Sequence, residues 1–290
     1  MKRKLILTIL LIIILFNITG CFKTDDLKNL NITVTTYPIE YLIERLYGEN
    51  ATITSIYPNG TSVSDYDLTN KQIKTYAKNT SLFVYNGITE EKEITKQILN
   101  KNKKIQIIDV SFGIKKYHYG IYELWLSPNN YLTLANTVKN DLIEIIGNKY
   151  AAESIEEKYE KLEEEILILD TELRNIAEQA IKNNSHTLVI AEDSFGFLKD
   201  YGFEIVNISN ENNITSKIKN SFKNKTYKNI FVKDKNNIKD SVRDLVDNYE
   251  ANLIEIDTME TLTDEQRKNN DNYLSIMNEL LSKLSDLTLN

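Results

Sequence analysis

Twice along this chain, runs rich in β-branched and aromatic residues alternate with segments whose apolar positions fall at helical spacing. In the first half, Ile32 to Thr36, Ala51 to Tyr57, Leu82 to Tyr85 and Ile105 to Asp109 read as strands. Helical segments near Ile39 to Leu46, Leu68 to Lys78 and Thr89 to Asn100 separate them. The second half repeats the scheme, with strands at Leu188 to Ala191, Glu204 to Ile208, Asn229 to Val232 and Asn252 to Ile256 and helical stretches between and after them. Parallel strands need a crossover about as long as these helices, so each half predicts a parallel sheet covered on both faces. The expected fold class is α/β, with two doubly wound lobes; a length of 290 residues accommodates both.

Between the halves, Ser127-Pro128 sets an N-cap hydroxyl before a proline suited to the first helical turn. Leu132, Ala135, Val138, Leu142, Ile145 and Ile146 follow at helical spacing, and Gly147 supplies a stop. This long helix is expected to join the lobes, with a ligand cleft between them. From Ile155, the positions Tyr159, Leu162, Ile166, Leu169, Leu173, Ile176 and Ala180 form a heptad stripe. We expect it to pack on the second lobe, with Glu163-Glu164-Glu165 on a solvated face, although a partner coiled coil is an alternative. The organisation predicted is a signal segment at 1–20, a tether at 21–30, an N-terminal lobe at 31–127, a connecting helix at 128–147 and a C-terminal lobe at 148–290.

Met1 to Lys4 are basic, and Leu5 to Phe16 form an apolar run suited to a signal-peptide core but short for a membrane span. Ile18-Thr19-Gly20-Cys21 follows and resembles the bacterial lipobox, in which the cysteine is lipidated and cleavage occurs just before it. Cys21 is the chain's single cysteine, so disulfides and thiolate metal ligands are excluded from the rest. An uncleaved anchor helix is the alternative; either way the body is expected at the outer face of a membrane. Without Lys2, Arg3 and Lys4, the only charges among the first twenty residues, the formal charge goes from −7 to −10. So acidic a body, with no basic stripe interleaved with aromatics, argues against nucleic acid and favours cations as partners.

Ligands of open parallel sheets sit beyond the carboxyl ends of the strands. The loops there begin with Tyr37-Pro38, Pro58 to Ser64, Asn86-Gly87, Val110 to Trp125, Glu192-Asp193 and Asp257-Thr258, and acidic residues recur among them. Tyr37, Tyr66 and Tyr122 are candidates to line the crevice, Trp125 reads as a packing anchor beneath it, and Gly60 and Gly87 read as turn glycines. Neither glycine belongs to a phosphate-binding pattern, and with two histidines there is no Ser-His-Asp arrangement, so an enzyme is not expected.

The order of several motifs resembles the metal-binding lipoproteins of cluster A-I ABC importers, the zinc and manganese solute-binding proteins. Thr35-Thr36-Tyr37-Pro38 is similar to the family's opening into its first helix, and Tyr57 to Asp67 to its proline-glycine loop running into a His-Asp-Tyr-Glu motif. Leu82 to Gly87 looks like the strand ending in Asn-Gly, and Tyr122 to Pro128 like the Pro-His-x-Trp-Leu-Ser-Pro motif. Glu192 to Phe197, with Tyr201-Gly202, looks like the third ligand loop, and Asp257 falls where the family keeps an aspartate after the last strand.

The resemblance implies a monomeric, lipid-anchored solute-binding protein that hands a divalent cation to a membrane permease driven by an ATPase. Its metal ligands would be Ser64, Glu123, Glu192 and Asp257. Glu192 and Asp257 match the manganese-type site, whereas Ser64 and Glu123 stand where the family has histidines. Three carboxylates and a hydroxyl form a hard oxygen set suited to Mn²⁺, Mg²⁺ or Ca²⁺ rather than zinc. His186, at the start of a strand, reads as structural or solvated, and His118 as a surface residue. If Glu123, Glu192 and Asp257 converge in a partly dry cleft, their repulsion raises their pKa values unless a cation or a basic side chain sits among them. Two alternatives remain open: an adhesin-like surface lipoprotein that keeps the fold without the metal, and a binder of a metal chelate.

Overall fold

The computed structural model describes residues 30–114, 120–193 and 195–289. The signal segment, Cys21, nearly all of the tether and His118 lie outside the described residues. Among the described residues, eight strands form two four-stranded, wholly parallel sheets. The first contains β1 (Leu30–Val34), β2 (Ala51–Ser55), β3 (Leu82–Tyr85) and β4 (Gln106–Asp109) in the order β2-β1-β3-β4. The second contains β5 (Thr187–Ile190), β6 (Glu204–Asn207), β7 (Asn229–Val232) and β8 (Asn252–Glu255) in the order β6-β5-β7-β8. The strand order reverses between β1 and β3, and again between β5 and β7, which opens a crevice at the strand carboxyl ends of each sheet. All four residues of β3 are buried, as a central parallel strand covered on both faces requires.

In the first lobe, α1 (Tyr37–Tyr47), α2 (Asn70–Asn79) and α3 (Glu91–Lys101) connect the strands. The one-turn α4 (Glu123–Leu126) leads into α5 (Pro128–Ile146). The second lobe carries α7 (Ser216–Lys223), α8 (Asp240–Tyr249), α9 (Asp264–Asn269) and α10 (Tyr273–Leu289). Local chemistry sets the helix ends. Ser127 Oγ accepts from the Asn130 amide ahead of Pro128, and Gly147 ends α5 at φ +62°. Thr69 with Gln72, and Thr263 with Gln266, form reciprocal capping boxes.

The expected connecting helix, α5, is followed at once by α6 (Lys149–Lys182), the long helix between the lobes. With 34 residues, α6 runs about 50 Å at 1.5 Å per residue, longer than one small lobe. Its stripe therefore does not lie on the second lobe alone: it packs against α1, α5 and α10. Ile155, Leu162, Ile166, Leu169 and Leu173 are buried there, joined by Ala177, while Ile176 is only partly covered. Lys158 and Glu165 form ion pairs with Glu49 and Arg45 of the first lobe, so the acidic run is not wholly solvated. Asp170, five residues past Glu165, accepts from Tyr201 of the second lobe at 2.5 Å. One hydrophobic core thus unites the inner faces of both sheets, and a smaller cluster lies behind each sheet.

A buried acid marks the Asn86-Gly87 turn after β3. Glu91 is 1% exposed, and its Oε2 accepts from the Asn86 amide at 2.8 Å. Burial pushes its carboxyl up to about 7. The folded state therefore keeps a proton that the unfolded chain releases, so this group's contribution to stability falls as pH rises from the ordinary glutamate range through 7. Glu91→Gln, which keeps the acceptor and removes the charge, is expected to raise the unfolding free energy by roughly 2–3 kcal/mol at pH 8 and hardly at all at pH 4, measured by urea denaturation.

Candidate functional site

The segment after β8 leaves the second lobe and is sewn to the first. Tyr37 donates its amide to the Glu260 carbonyl and Gly60 to that of Leu262, both at 2.9 Å. Thr261 Oγ1 donates to the Thr61 carbonyl at 2.9 Å. Arg267 grips both oxygens of Glu40 at 2.8 and 2.9 Å and donates to Asn59 Oδ1 at 2.7 Å. Asp257 shapes the turn, accepting from the Met259 amide at 2.7 Å and from Gln266 at 2.5 Å. Met259 adopts φ +56°, a left-handed conformation uncommon for a non-glycine residue, with its side chain fully buried. Glu260 follows directly, held over the junction by its own backbone bond to Tyr37.

From the other side comes the Tyr122–Trp125 turn. Trp125, 1% exposed, donates its indole N–H to the Thr258 carbonyl at 2.7 Å and meets the Tyr122 ring edge-on. It is the packing anchor expected from sequence. Beneath it, Tyr273 donates to the Trp125 carbonyl at 2.6 Å and stacks on Tyr131, centroids 3.9 Å apart.

These fixed elements surround the ammonium of Lys233, the residue immediately after β7. Nζ donates to Glu260 Oε2 at 2.5 Å, Tyr122 Oη at 3.0 Å and Ser62 Oγ at 3.2 Å. Tyr122 also donates to Glu260 Oε1 at 2.8 Å, and Nζ lies 5.2 Å from the centre of the Tyr122 ring. Burial opposes the charge on Lys233, but the bonds to Glu260 and Tyr122 outweigh it and leave the ammonium above its ordinary range. Burial pushes the Tyr122 phenol up to about 12. It also raises the Glu192 carboxyl, an effect that the charges of Lys233 and Lys239 moderate. The carboxylate that pairs with Lys233 is Glu260, which lies outside the set expected from sequence.

Two cavities adjoin this knot. One, of about 720 Å³, is lined by Ser62, Lys233, Asp257 and Glu260 among others. The second, of about 730 Å³, is lined by Tyr122, Glu192, Asp193 and Lys239 among others. The four residues expected as ligands are distributed around them. Glu192 faces the second cavity and Asp257 the first. Glu123 is 3% exposed at the start of α4 and lines neither. Ser64 is exposed and lines neither cavity; it is bonded to Ser62 and Asp65 at 3.1 Å each. Among the described residues, no three His, Cys, Asp or Glu side chains group as a metal site.

Sequence reasoning missed Lys233 and Glu260. The strand-end rule, applied to β7 as to the other strands, points to Lys233 beside Glu192 at the switch point of the second sheet. Glu260 carried no such signal, because it lies four residues past Ile256, beyond the Met259 turn.

Two parallel α/β lobes meeting over a polar junction, taken with the family match, place the chain among solute-binding proteins. The chain belongs to the family described as zinc-uptake complex component A, periplasmic, which matches residues 32–287. It is 27% identical over 192 residues to the iron-binding protein YfeA of Yersinia pestis, a match covering 63% of this chain and 60% of that protein. In fold it is similar to the metal-dependent lipoprotein YcdH of Bacillus subtilis, with a TM-score of 0.75 at 20% identity, covering 90% of this chain and all of that one. The Zn(II)-bound ZnuA-like domain of Streptococcus pneumoniae AdcA gives a TM-score of 0.71 at 20% identity, with 90% of this chain and 100% of that chain covered.

The seam yields a stability test. Glu40 has a side chain only 9% exposed, so Arg267→Ala strands a nearly buried carboxylate. An unfolding free energy lower by about 2–3 kcal/mol is expected in urea titrations, below the full cost of an unpaired buried charge because Arg267 is partly solvated. Arg267→Lys should recover only part of the loss, since one ammonium cannot reproduce the two-pronged grip.

Proposed function

We propose that this chain is the extracytoplasmic solute-binding lipoprotein of an ABC importer, held to the membrane through Cys21, and that it delivers a divalent cation to a permease driven by a cytosolic ATPase. One observation carries the reading: the lobe junction already coordinates a cation, the Lys233 ammonium, with oxygen atoms drawn from both lobes. Family membership and relatives described as binding iron or zinc support it.

The donors around the junction are oxygens of Glu260, Glu192, Asp257, Tyr122 and Ser62. Such a set suits Mn²⁺, Mg²⁺ or Ca²⁺ better than zinc, which favours nitrogen and sulfur. We retain Glu192, Asp257, Glu123 and Ser64 as candidate ligands; Glu192 and Asp257 line different cavities, so a shared ion requires side-chain rearrangement, with Asp257 releasing Gln266. Titration of tag-free mature protein by calorimetry is expected to give a Kd for Mn²⁺ or Ca²⁺ below ~1 mM, a free energy beyond about −4 kcal/mol, with no preference for Zn²⁺. Absence of binding by all of them overturns the cation cargo.

The same ammonium favours a second reading, an adhesin-like lipoprotein that retains the fold and has given up the metal. Replacing Glu192, Asp257 and Glu260 together by alanine separates the two: a cation carrier loses uptake, whereas an adhesin keeps partner binding. For the anchor, Cys21→Ser is expected to move the protein from the membrane fraction to the soluble fraction of cells, measured by immunoblot after fractionation.

A further inference from the structure

We infer that Lys233 is a tethered occupant of the cation position, and that a divalent ion enters only by displacing it. The inference rests on the cation-cargo reading and adds to it the residue that sets affinity.

Three features of the knot carry it. A lysine ammonium has three donors and no acceptor, and the three oxygens of Glu260, Tyr122 and Ser62 match that number. The acceptors come from separate parts of the chain: Ser62 from the loop after β2, Tyr122 from the position just before α4, and Glu260 from the segment after β8. Such a site is assembled by the tertiary fold, unlike a surface ion pair between neighbours on one helix. The Glu260 backbone is pinned to Tyr37, and Tyr122 is braced by Trp125. The lysine side chain is 27% exposed and the most flexible of the four, so it is the member able to leave.

Occupancy by the ammonium and by a metal are mutually exclusive. Divalent ions bind oxygen at about 2.0–2.6 Å, so an ion on Glu260 would fall within the contact distance of Nζ. Two cations sharing one carboxylate in a half-buried site repel strongly. Every binding event must first free Glu260, and the apparent affinity falls by the fraction of time Lys233 is away. The oxygen set therefore remains intact, but its own chain competes for it.

The test compares Mn²⁺ and Ca²⁺ titrations of the mature wild-type protein with those of Lys233→Met and Lys233→Gln. Both variants remove the charge, and Gln retains a donor toward Glu260 should Met disturb folding; thermal melts check each. Lys96→Met, on the far surface of α3, serves as the charge-loss control. The expected result is affinity tighter by about 100-fold in both Lys233 variants and unchanged in the control, the factor for an ammonium displaced roughly 1% of the time. If the wild type binds and the folded variants bind no more tightly, the inference falls while the cation cargo stands. If the variants bind and the wild type does not, the inference stands and the native cargo is not a free cation. If none binds, both fall.

Discussion

The apolar row on α6 is shared property. Ile155, Leu162, Ile166, Leu169 and Leu173 face α1 from the first lobe, α5 from the junction and α10 from the second, so removing any of them from water favours both lobes at once. At about 1.5–3 kcal/mol for each large aliphatic side chain, a row of this length fixes the lobes relative to each other. Everything at the junction inherits that rigidity. The segment after β8 can reach back to Asn59, Glu40 and Tyr37 because the two sheets stand at a constant separation, and the Met259 turn has a fixed neighbour to press against.

Most of the architecture was legible because it depends on period. Strands buried on both faces write continuous apolar runs such as Leu82 to Tyr85, the Ser127-Pro128 start and the Gly147 stop bracket α5, and the repetition of the scheme announced two parallel sheets. What periodicity could not supply was the partner of each face. The α6 stripe has the same spacing whether it serves one lobe or two, and only its length, set against the size of a lobe, argues for both.

The site was legible to a smaller degree, for a physical reason. The strand-end rule located Glu192, Asp257 and the Tyr122 turn, but whether a carboxylate faces solvent, a backbone amide or a neighbouring ion depends on a few torsions. Asp257 spends its oxygens on the Met259 amide and Gln266, shaping the turn that carries Glu260 forward. The positive charge beside Glu260 was not legible, because the acids expected to meet line separate cavities or none. That the charge is a lysine of this chain follows from the loop after β7, where one residue past a buried strand is already at the junction.

The 34-residue span of α6, continuous through both halves, also limits how the molecule can move. A stiff rod anchored at each end is a poor hinge, so wide swinging of one lobe against the other is not available to it. Exchange of whatever occupies the junction has to proceed by local loosening, of the stitched strap at 257–267 or of a single long side chain. A docking partner would gain more by prying at that strap than by levering the lobes apart.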